Sequence, residues 1–399
     1  MCKTVDVLPY TMRIISLSLQ RYRNYDALGA PFAPGVNLIV GENGAGKTNL
    51  LEAIYLLATS KSMRGARDVE MIQWESAAAI VSGKVARETQ PDLSLEVALA
   101  REGGKTLQVN GQTRTRVTDF IGKLQAVSFC AEDVQIIRGE PQKRRRFLDL
   151  EISQISPRYC HHLAVYRRVL DQRNRLLRDT RERPARGAPS ALDDWTERLC
   201  LEGAEITHAR ARYVADLAEL AAPLHERLTS GEVAGIAYLA SAPLEEGEPL
   251  PSVQGIAEQL VRAASRRAED ERRRGTSLVG PHRDDLEFLI DGQSARRYAS
   301  QGQQRTLTLS VKLAERQMVQ NIAREAPVLL LDDVFSELDE GRREQVLADV
   351  AALGQTFVSA TEAALVSAAA RRDATVYRVA DGAVAVPAAV DPSGAEAPR

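Results

Sequence analysis

The residues from Gly41 to Thr48 read GENGAGKT, which spaces two glycines, a lysine and a threonine as G-x-x-x-x-G-K-[ST]. Gly41, Gly44 and Gly46 let the backbone curl so that successive N–H groups, those of Glu42, Asn43 and Ala45 among them, face one anion. A helix start directly behind the loop adds partial positive charge. Lys47 then suits the β/γ oxygens of ATP, and the Thr48 hydroxyl suits Mg²⁺. Triphosphate chemistry also needs a carboxylate for the metal and a group that orients water. Val328 to Asp339, VLLLDDVFSELD, supplies an apolar run ending in two acids. Asp332 is expected to take the metal through water, and Asp333 stands where a general base belongs. Two acids merely capping a strand is the plainer reading. It loses because a buried strand in a P-loop protein ends near the phosphates. Aspartate is one methylene shorter than glutamate, so slow hydrolysis is expected.

A third stretch, SQGQQR from Ser300 to Arg305, holds no base and no metal ligand. Ser300, Gln301, Gly302 and Gln303 instead combine a hydroxyl, a flexible backbone and N–H groups at a helix start, which together make an anion site. A simple N-cap at Ser300 is the plainer alternative.

These residues must be positioned by strands and helices. Val36 to Val40 is an apolar strand directly before the loop, and Asn49 to Ala58 is helix-like directly after it. Ile14 to Leu19, Leu93 to Ala100 and Thr106 to Val109 read as strands, with a hairpin turn at Asn110-Gly111. Long helical patterns begin near Pro141, and the helix from Pro157 to Arg183 would be about 40 Å long. No heptad seam and no internal repeat are evident. Strand texture returns at Leu278 to Asp291, and the last section alternates helix and strand. Because Thr48 and Asp332 must meet at one metal, both α/β stretches are expected in one sheet with the helical segment looped out. The predicted organisation is an extension over 1–11, the first ATPase part over 12–137, a helical arm over 138–275, the second ATPase part over 276–386 and a disordered tail over 387–399.

Composition bounds the function. The 399 residues are 44% hydrophobic and 27% charged, with net charge −2. From Arg138 to Arg186 there are 14 basic and 6 acidic residues, and from Gly187 to Val261 there are 4 and 13. Such asymmetry suggests a basic surface for a polyanion. Lys143, Arg144, Arg145, Arg146, Arg167, Arg168 and Arg173, with Arg175 and Arg178, are the expected DNA-binding face. Each arginine taken singly reads first as merely solvated or paired with a nearby Glu on its helix. Aromatics are 5% of the chain and are not interleaved with this run, so salt-dependent backbone contact is expected rather than base stacking. The four cysteines are scattered, no apolar run approaches a membrane span, and a cytoplasmic location is expected. His282 near Asp284 and Asp285 reads first as a polar turn and second as a metal site.

In their order, GENGAGKT, SQGQQR and LLLDDVFSELD resemble the ABC-type ATPases of the SMC and RecF group. RYRNY (Arg21 to Tyr25), GEPQKRRRFLD (Gly139 to Asp149) and GPHRDD (Gly280 to Asp285) narrow the resemblance to the RecF family. The resemblance implies an α/β fold, an ABC-type P-loop ATPase head of mixed β-sheet lobes with an inserted helical arm domain. It further implies that Ser300, Gly302 and Gln303 cap the γ-phosphate in a partner's P-loop, that Ser336 and Asp339 lie in a D-loop, and that ATP drives homodimerisation on DNA. RecR and RecO are the implied partners, with placement of RecA at gaps, replication and the SOS response as the implied context. The chain departs from the pattern where a Mg²⁺-sensing Gln is expected, reading Cys130 to Asp133, and where a switch His is expected, reading Ala360 and Thr361. A transporter ATPase has no reason for so basic an insertion, an SMC protein needs a far longer coiled coil, and a nuclease-coupled ATPase needs a further acidic metal cluster.

Overall fold

The computed structural model describes residues 11–88, 90–182, 189–229, 231–242, 244, 249–334, 354–361, 374–385 and 387. The expected D-loop residues Ser336 and Asp339, the turn at 184–188, residues 1–10 and the tail beyond 387 lie outside the described residues. The chain divides into two compact units, Met1–Asp133 with Lys312–Arg399, and Val134–Val311.

The first unit contains β1 (Met12–Tyr22), β2 (Tyr25–Pro31), β3 (Val36–Val40), α1 (Lys47–Thr59), β4 (Ala78–Arg87), β5 (Leu93–Ala100), β6 (Gly104–Val109), β7 (Gln112–Arg114) and β8 (Ala126–Cys130) before the chain leaves it. The second unit contains α2 (Gln135–Arg138), α3 (Pro141–Ile155), α4 (Pro157–Glu182), α5 (Pro189–Leu228), β9 (Ala234–Leu239), α6 (Val253–Arg274), β10 (Asp285–Ile290), β11 (Gln293–Ser294) and α7 (Ala295–Tyr298). The boundary then falls inside α8 (Gln301–Ala323), and β12 (Val328–Asp332), β13 (Thr356–Ala360), β14 (Thr375–Ala380) and β15 (Ala383–Ala385) complete the first unit.

Two sheets build the first unit. One is antiparallel, in the order β2-β1-β4-β5-β6-β7. The other, β15-β14-β3-β13-β12-β8, is parallel except at its β15 edge. β3, β12, β13 and β8 are buried at every position, as expected of parallel strands covered on both faces. α1 packs on β4 and β5 of the first sheet and on β8, β12 and β13 of the second, which is why Leu50 to Thr59 are buried all round the helix. Gln355 fixes the sheets to one another. Its amide exchanges hydrogen bonds with both backbone groups of Ile14 and also donates to the Ala33 carbonyl. Asn110 and Gly111, both at positive φ (52° and 72°), form the two-residue turn between β6 and β7.

The second unit is mostly helical, with α5 packed against α4, α6 and β9. α4 has 26 residues and, at ~1.5 Å per residue, is about 39 Å long. Its buried residues Tyr159, Leu163, Tyr166, Val169, Arg173 and Leu177 recur every three or four positions. They form the buried stripe of an amphipathic helix, interrupted by Arg173, rather than a heptad seam. Residues 276–311 belong to this unit, whereas the sequence grouped them with the ATPase part. The reason is pairing: β10 lies antiparallel to β9 from Asp285↔Leu239 to Ile290↔Ala234.

Candidate nucleotide-binding site

The glycine loop turns from β3 into α1 at the C-terminal end of the parallel sheet. Gly46 sits at φ 117°, and a Cβ there would lie 2.6 Å from the Asn24 side chain and 2.9 Å from the Tyr25 hydroxyl. Gly41 passes so close to β14 that a Cβ would meet the Val379 carbonyl at 2.2 Å. No described side chain caps α1 at Gly46, so the first-turn N–H groups remain directed at the loop's concave side. Lys47 Nζ donates to the carbonyls of Gly41 (2.7 Å) and Glu42 (2.9 Å), which arches the loop over the lysine. Burial lowers the Lys47 pKa, with Asp333 and Asp332 opposing the shift.

The strand ends bring the acids to the loop. Thr48 Oγ1 donates to Asp332 Oδ1 at 3.0 Å, and Ser359 Oγ donates to the same oxygen at 2.6 Å. Register explains this: Asp332 on β12 is opposite Ser359 on β13 and Cys130 on β8. Burial pushes the Asp332 carboxyl up, while the hydrogen bonds from Ser359 and Thr48 pull it down. A buried carboxylate beside two hydroxyls is an all-oxygen donor set, which fits a hard cation such as Mg²⁺. Asp333 adopts the left-handed backbone (φ 53°), and its N–H is held by Ser359 Oγ at 2.9 Å. Ser359 thus fixes both acids, a role the sequence reading did not assign. Its signal was the position on the neighbouring strand level with Asp332. Gln125 directly precedes β8 (Ala126–Cys130), so it lies at the end of that strand away from Cys130 and Asp332.

A second group of residues braces the loop. Asn24 Nδ2 donates to the Ala45 carbonyl (2.9 Å), Tyr25 OH to the Gly46 carbonyl (3.0 Å), and Asn49 Nδ2 to Asn24 Oδ1 (2.8 Å). Glu52, buried on α1, accepts from Arg23, Arg64 and Ser62. Burial raises its pKa, but these hydrogen bonds outweigh that and hold the carboxyl below its ordinary value. RYRNY is therefore a loop brace, identified in the sequence as a motif but without a role.

In the second unit, Ser300 and Gln303 cap α8 reciprocally. Gln303 N donates to Ser300 Oγ (3.2 Å), and Ser300 N donates to Gln303 Oε1 (2.8 Å). Gln303 Nε2 also donates to Glu232 Oε1 at 2.8 Å. The N-cap reading of Ser300 is realised, and Gln301 and Gly302 are exposed in the first turn.

The basic residues divide. Arg144 is buried, with Nε and Nη2 donating to Asp285 at 2.6 and 2.9 Å, and Nη1 to the Gly139 carbonyl. Arg173 is buried on Glu271 (2.7 Å), Thr196 and Ser277. Neither is available to DNA, which corrects the predicted face. Each lies on its helix's buried stripe, where a hydrophobic residue is the usual occupant and a cation must be paired. Arg145 is half-buried and donates to the Asp284 carbonyl at 2.8 Å, and Arg146 is also half-buried. Arg167 is exposed but donates to Asp149 at 2.8 Å. Lys143, Arg168, Arg175 and Arg178 are exposed.

His282 resolves as part of a polar turn. Its Nε2 is 3.1 Å from the Ser277 carbonyl, which only accepts, so Nε2 carries the proton and Nδ1 accepts from Tyr166 OH at 2.6 Å. Burial lowers its pKa to about 4. Among the described residues there is no cluster of three or more metal-ligating side chains, and no helix is long and apolar enough to cross a membrane.

Comparison with known proteins decides the family. The pattern described as the RecF/RecN/SMC N terminal domain matches residues 13–384. The DNA replication and repair protein RecF of Halalkalibacterium halodurans is 42% identical over 374 residues, covering 94% of this chain and 99% of that protein. The chain belongs to the RecF family. A solved structure described as the recombination mediator protein RecF-ATPrS in the RecFOR pathway has TM-score 0.86 and 32% identity, covering 96% of this chain and all of that one. A second, described as RecF-ATP in the same pathway, has TM-score 0.85 and 32% identity over 95% of this chain and all of its own. The fold is accordingly that of the ABC/SMC-type ATPase head in its RecF form, and the P-loop, RYRNY brace and α8 cap described above are features of a RecF-family chain.

Proposed function

We propose that this RecF-family chain is an ATP-dependent DNA-binding protein of recombinational repair, which dimerises on ATP to hold DNA and hydrolyses ATP slowly to let go. The observation that carries the reading is the meeting of Thr48 and Asp332 at 3.0 Å beside the glycine loop, in a chain similar to RecF-ATP over nearly its full length. The N–H groups from Gly41 to Thr48 and the Lys47 ammonium bind the phosphates, and Thr48 and Asp332 hold Mg²⁺. When bound, Mg²⁺ supplies charge neutralisation at the β and γ oxygens. Asp333 accepts the proton of the attacking water. Its shorter side chain and its fixed, left-handed backbone limit that reach, which supports slow turnover.

The capped start of α8, with Ser300 and the exposed Gln301 and Gly302, serves the γ-phosphate in a second copy. A chain with one complete P-loop has no use for another phosphate site at the same nucleotide unless ATP is shared between copies. Lys143, Arg145, Arg146, Arg167 and Arg168 contact DNA phosphates without reading sequence. RecR and RecO are the partners with which such a complex helps RecA onto gaps, in replication and in the SOS response. The test is retention of a gapped duplex at 0.1 M salt with and without ATP·Mg²⁺. Wild type should bind tighter with ATP, and Lys47→Met should lose that gain entirely. Equal ATP dependence in Lys47→Met would refute the reading.

A further inference from the structure

Tyr298 is 70% exposed, two residues before Ser300. It ends α7, whose other end is anchored: Ala295 is buried, and its carbonyl accepts from Gln304 Nε2 at 2.8 Å. Gln304 Oε1 in turn accepts from Arg138 Nε. α7 is thus tied to the first turn of α8, so the aromatic ring is presented by a fixed element. Beyond it the chain runs extended through Ala299 (φ −75°, ψ 141°), which keeps the Cα atoms of Tyr298 and Ser300 within about 7 Å of each other. Arg297, also exposed, adds a cation directly before the ring. An exposed ring on an anchored element, beside a cation and an anion-binding helix start, combines what a nucleotide needs: a face for its base and charge for its phosphates.

We propose that Tyr298 is a stacking platform for the adenine of the ATP held in a second copy's P-loop, so that one short segment grips both ends of the shared nucleotide. This rests on the shared-nucleotide reading above. Tyr298 belongs to the same anchored segment as Ser300, and the extended backbone at Ala299 places the two residues on one side of the chain. The cations assigned to DNA lie instead on α3 and α4. Because the contact is made in trans, Tyr298 acts on dimer formation and leaves the binding of ATP by a dilute monomer unchanged.

The test measures the ATP concentration at half-maximal dimerisation by sedimentation, with ATP affinity of the dilute monomer determined in parallel. Tyr298→Ala should raise the dimerisation midpoint about tenfold, within the range of base–aromatic stacking, and leave monomer affinity unchanged. Tyr298→Phe, which keeps the ring, should stay within about twofold of wild type. With 2-aminopurine riboside triphosphate as probe, fluorescence should be quenched on dimerisation of wild type and not of Tyr298→Ala. An unchanged midpoint and unchanged quenching in Tyr298→Ala, while Ser300→Arg abolishes dimers, would overturn the stacking assignment alone. Dimers that persist in Ser300→Arg would overturn the shared-nucleotide reading itself. A loss of DNA binding by Tyr298→Ala at an unchanged midpoint would give the ring to a DNA base and also overturn the assignment.

Discussion

At the scale of single residues, the phosphate loop is held by side chains that do no chemistry. Asn24 links the Ala45 carbonyl to Asn49 across the loop's rim. Asn24→Ala removes both links, each a net ~1 kcal/mol interaction at most, so ATP affinity should fall about fivefold in calorimetry while Tm barely moves. The loop's own residues were legible because glycine spacing, lysine and threonine state their chemistry in the sequence. Asn24 and Ser359 were not, because an asparagine in a turn and a serine on a strand have many possible partners until the topology selects one. His282 gives a pH-dependent prediction. Its folded pKa of about 4 lies below the usual value near 6.5, so the unfolded chain binds more protons between those values. Stability attributable to the neutral ring is full above about pH 6.5 and is lost as pH falls toward 4, by about 3 kcal/mol at most. His282→Gln should flatten that part of the stability profile in urea unfolding. A profile as steep as wild type would assign the acid lability to other groups.

At the scale of elements, helix stripes decide which cations are structural. On α3 the buried positions Arg144, Phe147, Leu148, Glu151 and Ile152 follow helical spacing, and on α4 Arg173 continues the line of Tyr166 and Val169. Read as a sequence, KRRR and the arginines of α4 form one basic run, and only position relative to the apolar residues separates the buried from the exposed. Arg173→Ala would leave the buried Glu271 carboxylate without its counter-charge, holding only the Leu278 N–H, at a cost of about 3–5 kcal/mol. Its Tm should drop steeply, while the folded protein's DNA affinity keeps its salt slope. Lys143→Glu with Arg168→Glu should do the reverse, sparing Tm and reducing the slope of log K against log salt by about 2. The strands before and after the helical segment were legible from apolar runs. The place of residues 276–311 was not, since the β9–β10 pairing joins segments far apart in sequence and no local pattern announces it.

At the scale of the whole molecule, the chain leaves a parallel sheet after β8 and returns to it at β12, pairing those two strands in register from Val328↔Ala126 to Asp332↔Cys130. The long excursion carries the capped start of α8, so the residues proposed to close over ATP belong to the second compact unit. The proposed function is thus an assembly: a loop that binds ATP on one copy and a serine that recognises it from another. Sedimentation of the full chain with and without ATP·Mg²⁺, beside Ser300→Arg, tests this most directly. Wild type should double in mass on ATP, while Ser300→Arg should bind ATP and stay monomeric. A wild type that remains monomeric at saturating ATP, or a Ser300→Arg variant that dimerises like wild type, would contradict this assembly.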